Sequence, residues 1–490
     1  MMGTESPGAA RTVVYPFVWV LLTWAAVGGA QPPGQLTITV GPTVQVSRTN
    51  PERPHEEVIL AAHPKDPRRL IGCSMVDMNR YGERLLHSIA YTSDDGGAHW
   101  QTAVESTEFN GDPMCGYGPD GRAYFLSIGT DDKSWAQVVW WMELFRSDDG
   151  GRTWGNGVRG ALGDRPYLAF DGTGGPHHGT GYVLYAIRTT ALDKEGKIST
   201  PRDGTVPTLE VIRSSDGFTS WSKAAVGVTL GSSYFPTGSG AVVLSDGSLA
   251  ALWVKRFLTA DGSGGVSGQE GRQELHVTLA RPGADLFGLT AKVADLTAGN
   301  PYSATFFSMV GDLTKGPYRD RLYVAWTDTK TPRSQILVSH SSDRGTSWSA
   351  PQMVNVVDPA TAPASLDDYM PTVAVNGNGV VGVTWRRRAR NDQDADVLFS
   401  ASLDGGTTWL QPVLVSGVSG EVAGGIARPK LRAEDDGHGR TSRRQTYFKG
   451  GDTSGLAADV NGVFHALWTD QRSGIGQVYT GTITVGGTPR

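Results

Sequence analysis

Short apolar runs closed by polar turn residues recur along the whole chain, and no long stretch carries a helical period. Gln335-Ile336-Leu337-Val338 and Asp396-Val397-Leu398-Phe399 are typical. Such runs lead into the pattern Ser-x-Asp-x-Gly-x-x-Trp at Ser93/Asp95/Gly97/Trp100, Ser147/Asp149/Gly151/Trp154, Ser341/Asp343/Gly345/Trp348 and Ser402/Asp404/Gly406/Trp409. A fifth copy, Ser214/Asp216/Trp221, has Phe218 in the glycine position. An apolar run ending in Asp and Gly, then an aromatic, predicts a β-hairpin turn. The Asp accepts turn N–H groups, the Gly supplies a positive φ, and the Trp packs on a neighbouring sheet.

The spacing of these turns counts the sheets. The gap from Trp221 to Trp348 is about twice the others, so one unit with an eroded turn lies there, with Leu275 to Asp285 as its remnant. Apolar strands ending near Trp253, Trp326, Trp385 and Trp468 give a second repeat in step with the first. Together they predict an all-β fold, a β-propeller of four-stranded antiparallel blades. Seven units fit, at roughly 55–105, 110–160, 164–228, 234–290, 300–355, 368–416 and 452–485; six is the alternative if the fourth is an insertion. The last unit has three strands. Gln35–Val46 alternates as a strand should and is expected to supply the missing outer strand, closing the ring.

Composition agrees with this picture: 65 Gly, 14 Trp and 15 Tyr among 490 residues is turn-rich, aromatic-packed material. A net charge of −5 without a Lys/Arg block excludes a nucleic-acid footprint. Arg386-Arg387-Arg388 is followed by Asp392, Asp394 and Asp396 and reads as a compensated loop. Arg11, the apolar run Val13–Val27 and Gly28-Gly29-Ala30 have the form of an export signal over 1–30. The rest, 31–490, is then one propeller domain, extracytoplasmic (secreted or periplasmic), without a membrane span and monomeric. Cys73 and Cys115 fall in neighbouring units, and both a disulfide and two buried free thiols stay open. Gly/Ser-rich 259–273 and the polar 417–451 read as insertions leaving towards one face.

The repeated turn resembles the Asp-box, or bacterial neuraminidase repeat, of sialidases and their relatives, over about units one to six. The resemblance implies a sialidase-like propeller, and an activity of exo-sialidase type on terminal acidic sugars of glycoconjugates. Such chemistry needs guanidinium groups for the substrate carboxylate, a tyrosine nucleophile assisted by glutamate, and an acid for the leaving oxygen. The Phe/Tyr-Arg-Ile-Pro motif of active members is absent; Asp164-Arg165-Pro166-Tyr167 is the nearest segment. Seven units also differ from the six blades usual in sialidases.

Topology locates the mouth. The Asp turns join strands three and four, so the opposite face gathers first-strand starts and second-strand ends around the axis. First-strand starts carry Glu56, Asp112, Asp164 with Arg165, Tyr234, Tyr302, Asp368 with Tyr369, and Asp452. Second-strand ends carry Asp77, Arg188, Lys255 with Arg256, Asp328, Arg387, and Asp470 with Arg472. Lys255, Asp328, Arg387 and Asp470 each lie two residues past an aligned Trp, which puts them on one side. The candidate catalytic set is Arg165, Arg188, Arg256, Arg387, Asp164, Asp328 and Tyr302. A self-neutralising ring of acids and bases is the competing structural reading. No cofactor is expected; Ca²⁺ could sit among the acidic first-strand starts, but nothing specifies it. His177-His178 lacks further ligands at metal spacing.

Two functions follow: a secreted sialidase-type glycoside hydrolase, or a non-catalytic propeller binding glycans or proteins. Three arginines converging beside a Tyr–Glu contact would mark the first. Arginines each neutralised by an aspartate would mark the second.

Overall fold

Consecutive strands pair antiparallel in every blade: six are four-stranded meanders in chain order, and the seventh has three such strands completed by the N-terminal segment. The computed structural model describes residues 1, 3, 37–77, 86–106, 109–130, 141–187, 208–221, 225–229, 234–260, 266–284, 287–297, 307–331, 333–356, 366–389, 396–417, 450–451, 453–473 and 475–486. No helix occurs among them, and none is long and apolar enough to cross a membrane. First strands run His55–Ala62, Phe109–Tyr117, Asp164–Phe170, Tyr234–Val243, Phe307–Gly311, Leu366–Val375 and Gly455–Ala458. Each touches the first strand of the next blade, and that of blade seven touches that of blade one. Seven wedges thus close a circle, and the six-bladed alternative is set aside.

Closure uses the N-terminal segment. Ile38–Val40 pairs with the last strand, Gln477–Val485, in the register Ile38↔Val485 to Val40↔Ile483, and Val44–Gln45 rejoins it further along. The chain crosses at Gly41, where a Cβ would fall 2.2 Å from Thr482 Oγ1 and displace that hydroxyl. No half-finished edge remains on blade seven.

Between blades the core is aliphatic and aromatic. Trp253, Trp326, Trp385 and Trp468 take equivalent second-strand positions and are all fully buried. The Ser-x-Asp turns are built alike. Ser147 Oγ donates to Asp149 Oδ1 (2.7 Å) and accepts from Gly151 N (2.7 Å), while Asp149 also accepts from Thr153 N and Oγ1. Trp154 Nε1 closes the turn on Gly151 O (3.1 Å). The eroded turn of blade four survives as Arg281–Ala284 between paired strands.

Phe218 shows what the degraded copy exchanges. It holds the glycine φ (58°) and donates its N–H to Ser214 Oγ (2.7 Å), as the glycines do. Its ring is buried against Tyr124, Phe170 and Trp221. A left-handed non-glycine residue costs about 1–2 kcal/mol, whereas truncating a buried Phe costs about 3–5 kcal/mol. Packing wins, so Phe218→Gly is expected to destabilise by about 2–3 kcal/mol, read from urea midpoints at unchanged m.

Two expectations change form. The segment 259–273 is no loose insertion at its base: strands two and three of blade four continue as a paired hairpin through Leu258↔Gln269, Thr259↔Gly268 and Ala260↔Val266. Main-chain pairing needs no apolar side chains, so a Gly/Ser-rich sequence conceals it. Cys73 and Cys115 are free buried thiols; Cys115 Sγ donates to Ile59 O (3.5 Å), and burial pushes the Cys73 thiol well up. The segments 1–30, apart from Met1 and Gly3, and 418–449 lie outside the described residues.

Candidate functional site

Four of the seven first strands share an irregularity at their mouth-side ends. Ladder register slips between Glu56 and Val58, between Gly111 and Met114, between Asp164 and Tyr167, and between Tyr369 and Thr372. At each slip one residue is left-handed: Glu57 (φ 54°), Asp112 (46°), Arg165 (51°) and Met370 (58°). In three of the four a proline follows (Pro113, Pro166, Pro371), which cannot donate to the ladder and so suits a bulge. Strain of this kind persists only where the surrounding structure holds it in place.

Three of those residues meet. Glu57, Asp112 and Arg165, with Ile59, Pro113, Met114, Pro166, Tyr167 and Thr453, line a recess where blades seven, one, two and three converge. Its cavity volume is about 20 Å³, room for about one water molecule, so a sugar would rest across its opening. Glu57 is buried; Asp112, Arg165 and Tyr167 are half-buried. Thr453 Oγ1, at the wall, has no hydrogen-bond partner among the described residues.

Glu57 is held from behind. Its N–H donates to Gly450 O (3.1 Å), which also accepts from Thr469 Oγ1 (3.2 Å). A Cβ on Gly451 would lie 2.3 Å from Glu57 Cγ, and one on Gly450 would strike Thr469 and Arg386. These two left-handed glycines let the chain pass against the bulge and hold its backbone.

Of the candidate set, Arg165 lines the recess and Asp164 precedes it on the same strand. Arg188 and Tyr302, with Asp452, lie outside the described residues. Among the described residues, second-strand candidates do not join the lining, since each stands one strand, about 4.8 Å, further from the axis. Arg387 instead grips Asp368 through Nε (2.7 Å) and Nη2 (3.0 Å). That carboxylate is fully buried and also accepts from Asn355 (2.7 Å) and Arg333 (3.3 Å), fastening blade six to blade five. Asp328 accepts from Lys330 N, and Arg472 pairs with Asp470. Arg256 is buried in the second strand of blade four. The outer positions therefore follow the self-neutralising pattern, and the inner ones form the recess.

Sequence reasoning chose Glu56 where Glu57 lines the wall, since the bulge adds one residue that no count of alternation anticipates. It also passed over Tyr167. The polar-residue-then-proline step at Asp112-Pro113 and Arg165-Pro166 was the available signal.

No family model matches the chain, and no curated protein matches it. Solved structures do. The α-L-arabinofuranosidase Arb93A of Fusarium graminearum, in complex with an iminosugar inhibitor, aligns at TM-score 0.46 and 13% identity over 75% of this chain and 98% of its own. NanB sialidase of Streptococcus pneumoniae aligns at 0.45 and 8% over 91% and 98%. A Dyadobacter fermentans protein of unknown function aligns at 0.44 and 10% over 92% and 99%. Likenesses at these values assign no activity, and the chemistry rests on the recess.

Proposed function

We propose that this chain is a glycoside hydrolase of exo-sialidase type, acting outside the cytoplasm on terminal acidic sugars of glycoconjugates. One observation carries the reading: Glu57, Asp112, Arg165 and Tyr167 share a single recess, and the three charged residues stand on strained bulges of adjacent blades. Arg165 receives the sugar carboxylate in bidentate fashion. Tyr167 attacks the anomeric carbon while Glu57 takes its proton, a nucleophile of the kind sialidases use in place of a carboxylate. Asp112 donates a proton to the departing oxygen.

A non-catalytic glycan-binding propeller is the second reading, favoured by the engagement of Arg387 with Asp368 and of Arg472 with Asp470. Among the described residues, Arg165 is then the one arginine lining the recess. Release of fluorophore from a sialoside between pH 4 and 8, beside a panel of other glycosides, separates the two. Turnover of the sialoside supports the hydrolase. Inertness to every substrate, with glycan-array binding that Arg165→Ala removes, establishes the binder.

A further inference from the structure

On the opposite face, residues just past the first strands of blades one, four and six place a donor against the next blade. Asn376 Nδ2 donates to Gly462 O of blade seven (2.8 Å). His63 Nδ1 accepts from Lys65 N and Asp66 N, which leaves its proton on Nε2; that nitrogen abuts Gly121 of blade two, 2.5 Å from where a Cβ would stand. One residue further along in blade four, Ser245 donates through N and Oγ to Asp320 of blade five (2.8 and 2.6 Å). Gly121, Asp320 and Gly462 are the matching left-handed residues of the receiving turns (φ 90°, 63° and 81°).

Blades three and five carry an aspartate there instead, and unlike Asp459 of blade seven, whose Oδ2 meets His465 Nε2 (3.1 Å), each leaves one oxygen unmatched. Their turns are near copies, Asp171-Gly-Thr173-Gly-Gly175-Pro176-His177 and Asp312-Leu-Thr314-Lys-Gly316-Pro317-Tyr318. Asp171 Oδ1 accepts from Thr173 N and Asp312 Oδ1 from Thr314 N. Both Oδ2 atoms are buried and have no hydrogen-bond partner among the described residues. They lie 3.6 and 3.8 Å from where a Cβ would stand on Gly247 and Gly379, the left-handed glycines of blades four and six (φ 84° and 75°). By equivalence with Gly462, the carbonyl of each glycine is turned to that spot. A buried carboxylate oxygen beside a main-chain acceptor, with no hydrogen-bond donor among the described residues, is a costly arrangement.

We propose that each junction binds a hard, oxygen-liganded cation, bridging Asp171 Oδ2 to blade four and Asp312 Oδ2 to blade six. No trio of His, Cys, Asp or Glu side chains converges among the described residues. The ligands are therefore one carboxylate, main-chain carbonyls and water, chemistry that suits Na⁺ or Ca²⁺ rather than a transition metal. The sites pin alternate blades together and are separate from the recess.

The test is thermal unfolding of the full chain, stripped with EGTA into tetramethylammonium chloride and titrated with NaCl or CaCl₂ at constant ionic strength. The parent midpoint is expected to rise by roughly 2–4 °C in a saturable way. Response to NaCl alone identifies a monovalent site, and response confined to CaCl₂ a divalent one. Asp171→Asn with Asp312→Asn supplies the amide donor seen at Asn376 and should abolish the response. Asn376→Asp should add a third ion-dependent junction. A parent indifferent to both salts overturns the proposal, as does a double variant that responds like the parent.

Discussion

Arg165→Gly is expected to lower kcat/KM on a sialoside by about 10²–10³-fold, the range for removing one preorganised charge-stabilising group, while the fold keeps its stability. The second half of that expectation distinguishes a functional residue from a structural one. At φ 51° an arginine is strained, and glycine relieves about 1–2 kcal/mol. The greater freedom of glycine in the unfolded chain returns about 0.5–1 kcal/mol. Net stability should therefore change by less than about 1 kcal/mol. Glu57→Gln and Asp112→Asn keep the shape of the wall and should each cut turnover on a comparable scale. A loss of several kcal/mol on Arg165→Gly with turnover retained would make the bulge a packing device and remove the proposed site.

The ring was legible in the sequence because its signals are local. A turn that repeats with Ser, Asp, Gly and Trp in fixed places reports one sheet each time, and the doubled gap after Trp221 reports the sheet whose turn has worn away. Gln35–Val46 could be read as the closing strand because blade seven is one strand short; the structure divides it into Ile38–Val40 and Val44–Gln45 around Gly41. The site was legible only in part, for the opposite reason. A bulge is a relation between two strands, and Glu57-Val58 carries no proline to announce it. Residues two past the aligned Trp do share a side, as alternation requires, yet Arg387 spends its charge on Asp368 of the adjacent strand. Which cross-strand neighbour a residue meets depends on register, and register appears only once the strands are paired.

Acidification is expected to open the ring where the chain ends meet. Between the N-terminal segment and blade one, Arg53 forms a bidentate pair with Glu105 (2.6 and 3.1 Å), and His87 Nδ1 meets the same carboxylate at 2.9 Å. His55 Nδ1–H donates to Arg53 O (2.7 Å), so Nε2 accepts from the Tyr91 hydroxyl (2.7 Å), which in turn accepts from Asn50 Nδ2 (3.1 Å). Gln477 of the last strand donates to Arg53 O (2.8 Å) and ties the network to blade seven. Burial lowers His55 from 6.5 to about 4, so the unfolded chain takes up this proton first. Stability is then complete above pH 6.5 and falls by about 3 kcal/mol as pH drops to 4. Glu105 is held at about 2, its hydrogen bonds to His87 and Arg53 outweighing desolvation. Its contribution is present above pH 4.5 and is lost only as pH falls towards 2; partial exposure makes that share smaller. Urea midpoints of the full chain at pH 7, 5.5 and 4 should therefore decline, and His55→Gln should flatten the decline above pH 4. A parent equally stable at pH 7 and 4 would mean that His55 takes its proton without disturbing the closure, and that the junction holds by main-chain pairing of Ile38–Val40 alone.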